Sequence, residues 1–278
     1  MRESERGRGR RPHPSSELVE VDGVSLRISV EGRGRPLLLF NGIGAALELL
    51  APFRQALRET QTIAVDLPGT GSSATTTFPR SLCGLAGLAD ALLDVLGYDR
   101  VDVLGVSWGG ALAQEFTLRH PGRVRRLVLV ATTAGWVSVP GSPAALRVLA
   151  TPRRYYSPSY FAEIAPTLYG GAIRANPRLL EDQGHLRFIR PPSMRGYVWQ
   201  LAALVGWTSM FRLHRIASPT LVLAADDDPI VPLVNAQLIV ARLRDGQLSV
   251  VRQGGHLFLI THAETIGPEV EAFLADGA

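Results

Sequence analysis

The chain has little of what many chemical frameworks need. Of its 278 residues one is cysteine, Cys83. A single thiol excludes an internal disulfide and fits a reducing compartment, with the cytosol as the default. No P-loop, no H-E-x-x-H and no Cys-rich zinc spacing occurs, which removes the usual sequence routes to a nucleotide phosphate or a metal. Long apolar runs are missing too. The most apolar window, "PLLLFNGIGAALELLAPF", is broken by Asn41, Glu48, two glycines and two prolines, and it reads as strand, turn and helix rather than a membrane span. No apolar stretch follows the early arginines, so no signal-peptide core is predicted.

Excess charge is small, and it is concentrated at one end. The formal net charge is +4, and the first eleven residues alone hold five Arg against two Glu. The remainder is close to neutral, which argues against a nucleic-acid partner. Residues 1–16 read as a basic, disordered tail whose plainest partner, if any, is an anionic surface. With 46% hydrophobic and 19% charged residues, the rest has the composition of a soluble globular protein. Its length suits one α/β unit carrying an insertion.

Two alternating runs around Asp22-Gly23 predict a β-hairpin. From "PLLLF" onward, short apolar runs alternate with helical periods. A helix is expected near Leu47 to Leu57, then strand "QTIAVD", then a helix on which Leu82, Leu85, Leu88, Leu92 and Leu96 recur. Strand "VDVL", helix "GALAQEFTLRH" and strand "VRRLVLVA" follow. This alternation predicts a mostly parallel central sheet flanked by helices. The rhythm stops near Trp136 and resumes with "PTLVLAA". Eleven of nineteen aromatics fall in residues 136–217, a Pro-rich stretch that reads as a helical cap inserted into a core of residues 17–135 and 218–278. Helix "PLVNAQLIVARL", strand "QLSVV" and a last helix ending near Leu274 complete the core.

Where "VDVL" meets the next helix, Gly105-Val106-Ser107-Trp108-Gly109 matches G-x-S-x-G. That pattern turns up by chance in about one chain in ten of this length. Its setting between strand and helix is what gives it weight. There the serine occupies a tight elbow, flanked by small residues, with helix N–H groups beside its hydroxyl. A serine hydroxyl needs a base, and the base needs an acid to orient it. Among six histidines, His256 in "QGGHLFLITHAE" lies between the last strand and the last helix. His262, its rival, falls on the helix entry. "AADDDPIVP" supplies Asp226, Asp227 and Asp228 just past a strand end, in the Ser, Asp, His order of this motif class, and Asp228 is the preferred acid. Asp66, in "AVDLPGTGSS", reads as a turn anchor. The glycines of "LLLFNGIG" leave the N–H of Ile43 free to form an oxyanion hole with that of Trp108. Gly69, Gly71 and Ala74 fit G-x-G-x-x-A, but residues 75–79 cannot open a helix, so no dinucleotide site is expected.

Together "FNGIGAALEL", "GVSWGGALAQ", "TPRRYYSPS", "APTLYGG", "GWTS", "PTLVLAADDDPIVPL" and "GGHLFLIT" resemble the intracellular depolymerases of medium-chain-length poly(3-hydroxyalkanoates), which belong to the α/β-hydrolase superfamily. The likeness runs from about Leu18 to the C-terminus and includes the cap. It implies an α/β-hydrolase fold, with Ser107 as nucleophile, Asp228 as acid and His256 as base. Asn41 stands where most α/β-hydrolases carry His before the oxyanion glycine. The resemblance also implies a cytoplasmic enzyme associated with polymer granules, acting through an acyl-enzyme and needing no metal or organic cofactor. Trp136, Tyr155, Tyr156, Trp199, Trp207 and Phe211 are candidates to line an acyl pocket. Two alternatives stay open: a small-ester carboxylesterase or acyltransferase of the same fold, and a non-catalytic ligand-binding protein that keeps it. No oligomeric state follows from the sequence.

Overall fold

Asp22 and Gly23 take positive φ angles of 48° and 72°, the pair that a two-residue hairpin turn requires. They join β1 (Glu17–Val21) to β2 (Val24–Glu31) in antiparallel register. The computed structural model describes residues 16–276, apart from the side chains of residues 181–183. Of the sequence-predicted tail, residues 1–15 lie outside the described residues.

Six further strands follow: β3 (Arg35–Phe40), β4 (Thr60–Val65), β5 (Val101–Val106), β6 (Val124–Val130), β7 (Thr220–Ala225) and β8 (Gly246–Val251). They form one eight-stranded sheet in the order β1-β2-β4-β3-β5-β6-β7-β8, and every pair after β2–β4 is parallel. Parallel strands buried on both faces read as continuous apolar runs. Leu37, Leu38, Leu39 and Phe40 are accordingly all fully buried. Leu38 and Phe40 join the layer formed with α2 (Leu82–Leu96), α3 (Trp108–Arg119) and α9 (Leu233–Val240). Leu37 and Leu39 point the other way, toward α1 (Ala51–Ala56), α10 (Phe258–Thr261) and α11 (Ala263–Ala275). The helix expected over Leu47 to Leu57 is split into a 3₁₀ turn, Leu47–Leu50, and α1. Pro52, in the first turn of α1, has no N–H to continue the preceding turn and is pre-set to open a helix.

Between β6 and β7 the chain is helical: α4 (Pro143–Leu149), α5 (Pro158–Tyr169), α6 (Gly171–Ala175), α7 (Glu181–Ile189) and α8 (Met194–Leu204). Serine starts three of these helices, as it does α2. The hydroxyls of Ser81, Ser142, Ser157 and Ser193 accept from the N–H groups of Gly84, Ala145, Tyr160 and Gly196, each cap contributing typically about 1 kcal/mol. The helical segment is anchored on the sheet domain by apolar and polar contacts. Phe161, Ala165, Leu168, Tyr169 and Ile173 share a buried cluster with Ile230 and Val231, just beyond β7. Ser193 N–H donates to Gly69 O at 2.9 Å, just beyond β4. A bridge between Gly135 and Thr208 holds the two ends of the segment together.

Candidate active site

Between the last residue of β5 and the first of α3 stands one residue, Ser107, with φ 53° and ψ −114°. A side chain there is strained by about 1–3 kcal/mol and persists only where its surroundings enforce it. They do so on both sides. Ser107 N–H donates to Val130 O at 2.8 Å, and Thr132 Oγ1 donates to Ser107 O at 2.7 Å. The flanking glycines are required by close approach. A Cβ on Gly109 would lie 2.2 Å from Phe40 O, and one on Gly105 would lie 2.3 Å from Gly109 O. Sequence spacing and backbone crowding thus have one cause, the sharp reversal that lifts the Ser107 hydroxyl above the sheet edge.

His256 meets that hydroxyl, with Nε2 3.1 Å from Ser107 Oγ. Its Nδ1 lies 2.7 Å from Asp228 Oδ2, and that carboxylate is almost completely buried. The other oxygen of Asp228 accepts from Ile230 and Val231 N–H at 2.8 and 2.9 Å. His256 is held from behind as well, its N–H donating to Tyr169 O at 2.7 Å. The aspartate run is sorted by environment. Asp226 is exposed, and Asp227 pairs with Arg174 at 2.9 Å and accepts from Gly171 N–H at 2.7 Å. Only Asp228 reaches the imidazole. His262 sits at the start of α11, with Nδ1 beside its neighbour Thr261.

The loop after β3 passes directly over the serine. Its bend is set by Asn41, whose Oδ1 accepts from Gly42 N–H at 2.8 Å while Nδ2 donates to Ala46 O at 2.9 Å. A Cβ on Gly42 would touch Ser107 Cβ at 3.8 Å. The amides of Ile43 and Trp108 have no acceptor among the described residues. The latter opens α3, where orphan N–H groups and the dipole favour negative charge. Tyr155 Oη donates to Ile43 O at 2.7 Å, and Gly44 N–H donates to Gln200 Oε1 at 2.8 Å. Beneath the loop, Asp66 accepts from Leu47 N–H at 2.7 Å and pairs with Arg27, which also holds Glu48 at 2.7 Å. Burial pushes the Asp66 carboxyl up. Glu48 is pulled the same way by burial, but its bond to Arg27 brings it below its ordinary value.

Ser107 and His256 open into a cavity walled by Leu49, Leu149, Ile230, Leu257 and Ile260, with Tyr155, Tyr169, Arg154 and Arg187. Of the six aromatics proposed from sequence, Tyr155 alone is on this wall. Trp136 and Phe211 are 68% exposed. Trp199 Nε1 donates to Thr76 O at 3.2 Å and Trp207 Nε1 to Glu115 Oε2 at 2.9 Å, both away from the cavity. Tyr156 Oη bonds Pro192 O. An indole or phenol needs a polar partner when it packs, and these three find theirs elsewhere: Trp199 and Trp207 on Thr76 and Glu115 of the sheet domain, Tyr156 on Pro192. Tyr169, Arg154 and Arg187 were not singled out from sequence. Only the apolar periodicity of α5 hints at Tyr169, and no local pattern marks the arginines. Among the described residues no cluster of three or more His, Cys, Asp or Glu could hold a metal ion.

The chain is 50% identical, over 260 residues, to the poly(3-hydroxyalkanoate) depolymerase of Ectopseudomonas oleovorans, an alignment covering 92% of this chain and 91% of that one. It is 31% identical over 283 residues to a 2-hydroxymuconate semialdehyde hydrolase of Pseudomonas putida, covering 95% and 97%. A solved hydrolase from Pseudomonas aeruginosa PA01 superposes with a TM-score of 0.78 at 26% identity, covering 94% of this chain and 98% of that one. Residues 37–267 match the Alpha/beta hydrolase family. On that match and these relatives, the chain belongs to the alpha/beta hydrolase family.

Proposed function

We propose that this protein is a serine hydrolase that cleaves the ester bonds of medium-chain-length poly(3-hydroxyalkanoate). The reading is carried by the hydrogen-bonded series Ser107, His256, Asp228 beside two unpartnered amides, and it is supported by the 50% identical depolymerase. His256 Nε2 takes the Ser107 proton as Oγ attacks the ester carbonyl. The negative oxygen is received by the N–H groups of Ile43 and Trp108, one such donor lowering the barrier by typically about 2.7–4 kcal/mol. Asp228 holds the Nδ1–H tautomer and stabilises the imidazolium. As the intermediate collapses, the ester C–O bond breaks and His256 protonates the departing alkoxide. Water, deprotonated by His256, then releases the 3-hydroxyacyl chain and regenerates Ser107.

In this reading residues 136–217 act as a cap, and the aliphatic cavity wall selects the acyl chain. Each buried CH₂ contributes about 0.8 kcal/mol, so two more methylenes bring roughly tenfold in kcat/KM where burial is realised in the transition state. No helix among the described residues is long and apolar enough to cross a membrane. We place the enzyme in the cytoplasm on its polyester granules, with exposed Trp136, Val205 and Phe211 as apolar contacts to that surface. Incubation with purified medium-chain granules tests the reading. Release of 3-hydroxy acids, with p-nitrophenyl octanoate cleaved faster than the acetate, is expected. Acetate cleaved faster, with no product from granules, leaves a small-ester carboxylesterase.

A further inference from the structure

Among the described residues, four arginines are almost completely buried: Arg27, Arg54, Arg154 and Arg187. The two away from the cavity each face carboxylates, Arg27 with Glu48 and Asp66, Arg54 with Glu31. Among the described side chains, the two on the cavity wall face none. Arg187, 5% exposed, makes no hydrogen bond or ion pair among the described residues. It is ringed instead by Tyr155, Phe161 and Tyr169, whose centroids lie 4.9, 4.8 and 5.5 Å from its guanidinium carbon. Arg154 stands against the same Tyr155 ring at 4.7 Å. It donates to Tyr197 Oη at 2.7 Å and to Thr151 O at 3.2 Å, but its Nε has no partner. Among the described residues, no Asp or Glu is on the cavity wall.

A buried cation without a counterion is costly, and aromatic faces compensate only in part. The arrangement is completed by an anion arriving with the ligand, and a planar guanidinium suits a carboxylate. Building on the proposed depolymerase reading, the substrate supplies one carboxylate per chain, at its acid end. We infer that Arg187, with Arg154 beside it, binds the free carboxylate of the terminal 3-hydroxyalkanoate unit, making the enzyme selective for that chain end.

The position fits this role. Arg154 Nη2 approaches Ile43 O at 3.5 Å, the carbonyl of the residue whose amide is assigned to the oxyanion, and the terminal carboxylate is one hydroxyacyl unit from the last ester. Ser107 Oγ forms its bond to the carbonyl of the penultimate unit while the C–O bond to the terminal unit breaks. His256 delivers the proton to that oxygen, and the hydroxy acid leaves with its carboxylate ionised. Water then cleaves the acyl-enzyme, giving a chain one unit shorter that carries a new carboxylate end.

The test uses the dimer of 3-hydroxyoctanoate, as the free acid and as its terminal primary amide, with cleavage of the internal ester as the readout. Wild type is expected to favour the acid by about tenfold or more in kcat/KM, mainly through KM. Arg187→Met, which keeps an unbranched side chain among the three rings, is expected to bring that ratio close to one, and Arg187→Lys to recover part of it. Equal rates on acid and amide in wild type would overturn the inference. So would an Arg187→Met ratio equal to that of wild type, because a packing role lowers both substrates together. If p-nitrophenyl octanoate is hydrolysed but neither dimer is, the polyester reading itself fails.

Discussion

Asp228 and His256 are joined at 2.7 Å through Oδ2 and Nδ1, and the carboxylate keeps its second oxygen on the amides of Ile230 and Val231. One oxygen fixes the turn after β7, and the other fixes the imidazole. Asp227, next in the chain, spends its carboxylate on Arg174 and Gly171 N–H. Asp228→Asn is therefore expected to lower kcat/KM on p-nitrophenyl octanoate by roughly 10³–10⁴, since an amide NH₂ facing Nδ1 favours the wrong tautomer. Asp227→Asn is expected to stay within about fivefold of wild type, its pair being half exposed and weak. Equal losses from the two substitutions would show that the run acts as a unit.

Asn41 holds the loop that carries Ile43, through one accepted and one donated hydrogen bond across six residues. Asn41→Ala removes both and leaves the Gly42 amide without its acceptor, while Ala46 O keeps the N–H of Leu49, at a cost of about 1–3 kcal/mol in stability. It also frees the Ile43 amide from its aim, so kcat should fall about 10²-fold while KM changes little. Urea unfolding together with steady-state kinetics separates the two effects. A KM rise with kcat intact would remove the loop from the oxyanion role.

Tyr197 is fully buried, and burial pushes its phenol from 10.0 up to about 12 despite the opposing charge of Arg154. A group raised on folding contributes stability that is whole below its unfolded value and is lost as pH rises toward the folded one. Wild type should thus lose about 1.4 kcal/mol from this group between pH 9 and pH 11. Tyr197→Phe, although less stable at pH 8 for want of its bonds to Arg154 and Leu149 O, should show a flatter dependence. Urea midpoints across that range would reveal it, and parallel slopes in the two proteins would rule it out.

Much of this was legible in the chain because each signal is local. Asp22-Gly23 specifies a turn, and "PLLLF" specifies a strand with two covered faces. Ser107, Asp228 and His256 each follow a strand end, and the sheet brings them into one hydrogen-bonded series. The cavity wall was not legible. A rich supply of aromatics in residues 136–217 does not say which side of each helix faces the cavity, and Trp199 and Trp207 turn instead to Thr76 and Glu115 of the sheet domain. Arginine usually lies on the surface, so nothing near Arg187 in sequence announces a buried guanidinium with no ion pair among the described residues. That fact exists only once Tyr155, just before α5, and Phe161 and Tyr169 on α5 close around α7.

The central claim is that Ser107 carries the acyl chain. Acid-quenched p-nitrophenyl octanoate turnover followed by peptide mass mapping tests it most directly. The account expects an octanoyl adduct on the peptide containing Ser107, absent from Ser107→Ala, whose turnover should fall by about 10⁴–10⁶ with its fold intact. An adduct on another residue, or a Ser107→Ala protein that keeps a tenth of wild-type activity, would contradict it.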